Sequence, residues 1–169
     1  MIISEKLMEK LNDCVDDFFN ELGYGEITSS LEDEFAYYPE TEEITYTLFD
    51  IAYFDLGFQK YIQTNYPNCP TISIFTLSLL HELGHHITRD SLNPVEWLYS
   101  SFEKKAFHSK KANNMEDAIA MQMKYCNLYD ERIATRKAIE ILEENYKTCL
   151  DFELHFHNIL VHAAAPIRK

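Results

Sequence analysis

Residues Thr76 to Thr88 read TLSLLHELGHHIT, an apolar run that ends in three histidines and a glutamate. Imidazoles are ready ligands for divalent metals, and a carboxylate beside such a ligand can move a proton. His81, Glu82 and His85 form the pattern H-E-x-x-H. On an α-helix, positions i and i+4 lie on one face a turn apart. His81 and His85 can therefore aim at a single ion, at Zn–N distances of about 2.0–2.1 Å. Glu82 is turned roughly 100° from His81, outside the coordination corner but within reach of a water held there. Two neutral ligands, a nearby base and an open position are what metal-assisted hydrolysis requires. Without an ion, so many ionisable groups under an oily helix would each cost roughly several kcal/mol in lost solvation. Gly84, within the motif, costs about 0.8–1.0 kcal/mol relative to alanine in a helix. Its presence implies that another segment passes close by.

A catalytic zinc centre usually takes three protein ligands and leaves the fourth position to water. The metzincin extension of the motif needs glycine at position 88 and histidine at 91; this chain has Thr88 and Ser91, which excludes that class. Downstream, in YDERIATRKAIEIL, residues Glu131, Ala134, Thr135 and Ala138 share one helical face. Alanines beside an inward carboxylate let two helices approach closely, which makes Glu131 the candidate third ligand. The bland alternative is a solvated glutamate on an amphipathic helix. Glu116, in NMEDAIA, and His155 and His157, in HFHNILVH, are reserves, although the two histidines point apart on a strand and converge poorly on a helix. His86 could meet substrate, a carboxylate near the centre, or only solvent. Tyr129, Tyr46 and Arg132 are candidate donors to a developing oxyanion, and spacing does not choose among them.

These groups need elements to hold them. Leu7, Leu11, Val15, Phe18 and Phe19 recur at helical spacing after a capping Ser4, and Gly23 and Gly25 close the segment. FAYY and ITYTLF, separated by PETEE, read as a β-hairpin. In the second strand Ile44, Tyr46 and Leu48 oppose Thr45, Thr47 and Phe49, a pattern that suits a sheet covered by helices on one face. DIAYFDLGFQKYIQTNY reads as a helix closed by PNCP, and the histidine helix then starts near Thr71 or Ile72. Between Arg89 and Asn114 the periodicity weakens, implying a short helix within loops or a lid. Two helices follow, broken near Asn127, and a last apolar segment ends the chain. Residues 1–169 read as one domain of α+β class, mostly helical with a small sheet.

LLHELGHH followed by ERIATRKA resembles the gluzincin metallopeptidases, and most of all the small ImmA/IrrE-type zinc peptidases of bacteria, phages and mobile elements. The resemblance spans roughly residues 30 to 142. It implies a zincin-like fold and Zn2+ as cofactor, with Glu131 beside His81 and His85 as ligands and Glu82 as general base. It also implies a protein or peptide substrate, such as a regulator, lying along an edge strand. ITYTLF sits where that strand is expected. One position departs from the pattern: Thr135 stands where many relatives carry Asn or Asp to orient a ligand histidine.

Composition bounds the alternatives. Hydrophobic residues make up 46% and charged residues 25% of the chain, which is ordinary globular usage. The net charge of −13 argues against nucleic acid and anionic membranes as partners. The one basic stretch, KKAFHSKK, reads as a solvated loop or a dock for an acidic partner. Cys14, Cys69, Cys126 and Cys149 form no CxxC pair, and the beginning of the chain lacks an apolar leader, so free thiols in a reducing cytoplasm are expected. The rival reading is a non-catalytic binding module of phage origin that keeps the frame as an interaction surface or acidic decoy. The presence of Glu82 argues against it, because a structural site has no use for a base.

Overall fold

The computed structural model describes residues 3–48 and 52–164. It is mostly helical with one small three-stranded sheet, the α+β class expected from the sequence. Helix α1 (Glu5–Glu21) begins where the Ser4 hydroxyl accepts from the Leu7 N–H. It stops at Leu22, and Gly23 then takes φ +91°, a left-handed turn that glycine makes without steric cost. The stripe Leu11, Val15, Phe18 and Phe19 is buried. Phe18 stacks on Phe152 of the last helix, α7 (Tyr146–Ala164), with ring centroids 4.1 Å apart.

Strands β1 (Thr28–Leu31), β2 (Ala36–Tyr38) and β3 (Glu43–Tyr46) lie in the order β1-β3-β2. β2 and β3 form the expected antiparallel hairpin, with Tyr37 opposite Ile44. β1 was not apparent in the sequence, because TSSL is short and largely polar. It pairs in parallel with β3, Thr28 opposite Glu43 and Leu31 opposite Tyr46. This corrects the expected edge. The ITYTLF strand is the centre of the sheet, with hydrogen-bonded neighbours on both sides, so it cannot accept a further strand. β1 packs on α1, where the Ser29 hydroxyl donates to the Asn12 carbonyl at 3.2 Å. β2 is the edge that runs beside the histidine helix. Ile44, Thr45, Tyr46 and Thr47 are all buried: Tyr46 reaches Asn12 of α1, whereas Thr45, on the other face, donates to the Glu34 carbonyl just before β2. Phe49, assigned to one face of this strand, lies outside the described residues.

The histidine helix, α3 (Ile74–Thr88), starts two residues later than its apolar pattern suggests. Ser73 caps it by accepting from the Thr76 N–H at 3.1 Å. Glu153 of α7 accepts from the Ser73 N–H at 2.7 Å and from the Thr76 hydroxyl at 2.8 Å, anchoring that end. A single 3-10 turn, Arg89–Ser91, follows α3. α2 (Ala52–Asn65) packs on α5 (Met115–Cys126), and α6 (Tyr129–Glu144) lies along α3.

Between them runs α4 (Pro94–His108), a full helix where a loop or short helix was expected. Asn93 caps it, accepting from the N–H groups of Val95 and Glu96, and Pro94 at the first helical position needs no donor. Its weak sequence signal has a physical reason. Val95, Leu98, Tyr99 and Phe102 are exposed, whereas Ser100 and Lys104 are turned inward, joined in the last turn by Phe107, which meets the Tyr125 ring.

Candidate metal centre

α3 and α6 bring the chemistry together. Gly84 permits this: a Cβ there would fall inside the van der Waals envelope of the Ala134 carbonyl, 3.0 Å from its carbon. Backbone meets backbone at that point, which is the close passage the glycine implied.

His81 and Glu131 are buried, and His85 is half-buried between them and the cleft. His81 Nε2 lies 3.0 Å from Glu131 Oε2, His85 Nε2 lies 3.2 Å from His81 Nε2, and His85 Nε2 lies 3.5 Å from Glu131 Oε2. Three ligands at tetrahedral angles, each about 2.0–2.1 Å from zinc, stand about 3.3 Å apart. The observed triangle brackets that separation on every side. Among the described residues these three are the group of histidine, cysteine and carboxylate side chains able to hold a metal ion, with all candidate atoms within 4.8 Å of one another.

Two of the three are held from behind. His81 Nδ1 lies 3.0 Å from the Thr135 hydroxyl, and Thr135 is fully buried. With a metal held at Nε2, Nδ1 would carry the proton and donate it to that oxygen. Thr135 thus fills the place where the resemblance led us to expect Asn or Asp. Burial alone would raise the pKa of Glu131, but the His85 charge and hydrogen bonds from His81 and His85 outweigh it and hold the carboxyl well below its usual range. Lys104 Nζ contacts Glu131 Oε1 and also lies 2.5 Å from Asp130 Oδ2. Burial works against the Lys104 charge, yet Glu131 and Asp130 more than compensate and raise its pKa. Asp130 Oδ1 accepts from the Ser100 hydroxyl at 2.5 Å.

Glu82 is buried beside the triangle, and loss of solvation pushes its pKa up to about 7. The His81 and Lys104 charges and a hydrogen bond from the Tyr37 backbone N–H oppose that rise. Tyr37 is on the edge strand β2, and its amide faces Glu82 rather than β3.

The groups open into a cleft of about 710 Å³ lined by β2 residues, Arg89, Trp97, Lys104 and Tyr125. At one wall a chain of hydrogen bonds fixes Tyr37. Arg89 donates to its hydroxyl at 3.0 Å, His86 Nδ1 lies 3.0 Å from that hydroxyl, and His86 Nε2 lies 3.3 Å from Glu26.

The reserves lie elsewhere. Glu116 is exposed at the start of α5, and His155 and His157 are exposed on α7. None of the candidate oxyanion donors lines the cleft. Tyr46 is buried and donates to Asn12 at 2.8 Å, Tyr129 accepts from the Asn93 N–H at 2.9 Å, and Arg132 is exposed. Sequence reasoning missed Tyr37, Arg89, Asp130 and Lys104. Lys104 was read as part of a solvated basic loop, but it is helical and turned inward; its one hint was a position one turn after Ser100 on a helix too weakly patterned to trust.

The four cysteines are free, and burial pushes Cys126 up to about 12, so this thiol is not a ready ligand at neutral pH. Among the described residues no helix is long and apolar enough to cross a membrane. Comparison of the chain with protein-family models, with curated proteins and with solved structures returned no match.

Proposed function

We propose that this chain is a zinc-dependent peptidase of gluzincin type, with His81, His85 and Glu131 as the metal ligands and Glu82 as general base. The observation that carries this reading is the ligand triangle, whose edges of 3.0, 3.2 and 3.5 Å match a tetrahedral ion with one position left open. The donor set agrees: two imidazoles and one carboxylate are typical of catalytic zinc. When bound, zinc supplies Lewis acidity, which makes water acidic near neutral pH and polarises a carbonyl.

The protein residues would do the rest. Glu82, buried beside the ligand triangle, is placed both to take a proton from attacking water and to return it to a leaving amine. Thr135 holds the His81 ring in the tautomer that presents Nε2. The substrate backbone would extend along β2, the sheet edge beside the base, in a β-augmentation mode. Tyr37 on that strand is fixed by Arg89 and His86, so the edge is presented in one conformation. The zincin-like architecture and a protein substrate come from the resemblance of HELGH and ERIATRKA, which is an argument by analogy.

The test pairs metal analysis with Glu82→Gln. Purified wild type should carry one zinc per chain and cleave a protein or peptide. The variant should keep the zinc and lose about 10²-fold or more in rate. Equal cleavage by both proteins would overturn the mechanism, and zinc retention with no cleavage by wild type would favour the interaction-module reading.

A further inference from the structure

The two oxygens of Glu131 have different surroundings. Oε2 faces the imidazoles of His81 and His85, at 3.0 and 3.5 Å. Oε1 faces the ammonium of Lys104. Lys104 comes from another helix, α4, and bridges two consecutive buried carboxylates, Asp130 and Glu131, each 6% exposed. Its own side chain is 20% exposed, and its ammonium also sits 5.6 Å from the centre of the Tyr125 ring. Asp130 spends its other oxygen on Ser100, one turn before Lys104 on α4. Both carboxylates are thus divided: Asp130 gives one oxygen to Ser100 and the other to Lys104, and Glu131 gives one to the two imidazoles and the other to Lys104.

We propose that Lys104 is a positioning residue that holds Glu131 as a one-oxygen ligand and so keeps the metal four-coordinate. This rests on the metal reading above. A carboxylate can bind a cation through one oxygen or both, and the second mode consumes space that an attacking water needs. An ammonium on Oε1 blocks that mode sterically and electrostatically. Asp130 supplies the charge balance. Asp130 and Lys104 cancel, so the pair adds no net charge to the centre. Without Lys104, Oε1 of Glu131 would be free to swing onto the ion. Outer partners of this kind orient the ligands they touch.

The test uses cobalt(II) in place of zinc, because four-coordinate cobalt absorbs visible light more strongly than five- or six-coordinate cobalt. Wild type should give the strong four-coordinate spectrum. Lys104→Met should bind cobalt with a visible absorbance lower by about two-fold or more, as the coordination number rises. Lys104→Arg should restore most of the intensity. Asp130→Asn, which weakens the tie to α4 but leaves the Lys104–Glu131 contact, should keep the wild-type spectrum.

Should Lys104→Met not fold, the double variant Asp130→Asn/Lys104→Met removes the charge imbalance and carries the same expectation. An undiminished spectrum in the Lys104→Met or double variant overturns the proposal. So does an equal loss in Asp130→Asn, which would make Lys104 only a strut for α4. Wild type that binds neither cobalt nor zinc fails at the earlier step, the metal centre itself.

Discussion

A ligand histidine whose far nitrogen lacks a partner is free to turn, and metal affinity suffers when it does. In this chain the partner of His81 is a hydroxyl. Thr135 is fully buried, and its Oγ1 lies 3.0 Å from Nδ1. Thr135→Val keeps the shape and removes the acceptor, leaving a buried N–H without a bond. Zinc affinity measured by chelator competition should fall about 10- to 100-fold, and Thr135→Ser should recover it. Unchanged affinity in the valine variant would mean that packing alone aims the ring. At this scale the sequence was legible where spacing within one helix sufficed. The i, i+4 pairing of His81 with His85, and the shared face of Glu131 and Thr135, follow from helical geometry. Lys104 was not legible, since 27 residues and a change of helix separate it from Glu131. Such contacts exist only after the helices have packed.

Among the elements, the contact between α3 and α6 decides whether the ligands meet. Gly84 sets their separation, because any Cβ there would strike the Ala134 carbonyl. Alanine is the better helix former by about 1 kcal/mol, yet forcing the helices apart costs typically about 1–3 kcal/mol. The clash is with backbone and should win. Gly84→Ala should lower stability in urea unfolding of the metal-free protein and weaken zinc retention; a variant as stable as wild type would show that α6 can shift freely. α1, the β2–β3 hairpin and the break before α6 were readable, each marked by a cap, a turn or a period. Sheet order was not, because nothing local in ITYTLF says that TSSL will pair beside it and turn an edge into a centre. α4 was obscured for another reason: most of its apolar residues face water while Ser100 and Lys104 face the protein, which breaks the pattern that identifies a packed helix.

At the scale of the whole molecule, the buried base makes stability depend on pH. An ordinary glutamate titrates near 4.3 when unfolded, and burial lifts Glu82 to about 7. Between these values the folded protein keeps a proton that the unfolded chain has released. Stability of the metal-free protein therefore falls through this window as pH rises, with a full cost of roughly 4 kcal/mol above it. Glu82→Gln removes the titration. The metal-free variant should match wild type near pH 4 and exceed it near pH 8, by chemical denaturation. A variant no more stable than wild type at about pH 8 would mean that the charged base finds solvation the fold does not provide.

The inverted α4 also changes how this molecule responds to its solvent. The rest of the chain is held by buried rings and aliphatic groups, whose association strengthens in kosmotropic salts. The inward face of α4 is fastened largely through an ammonium and a hydroxyl on two carboxylates, and ionic strength weakens attractions between charges, though less for partly buried ones. One wall of the cleft is thus fastened by a bond of the opposite temperament to the scaffold, so that a brine that hardens the body would loosen that wall.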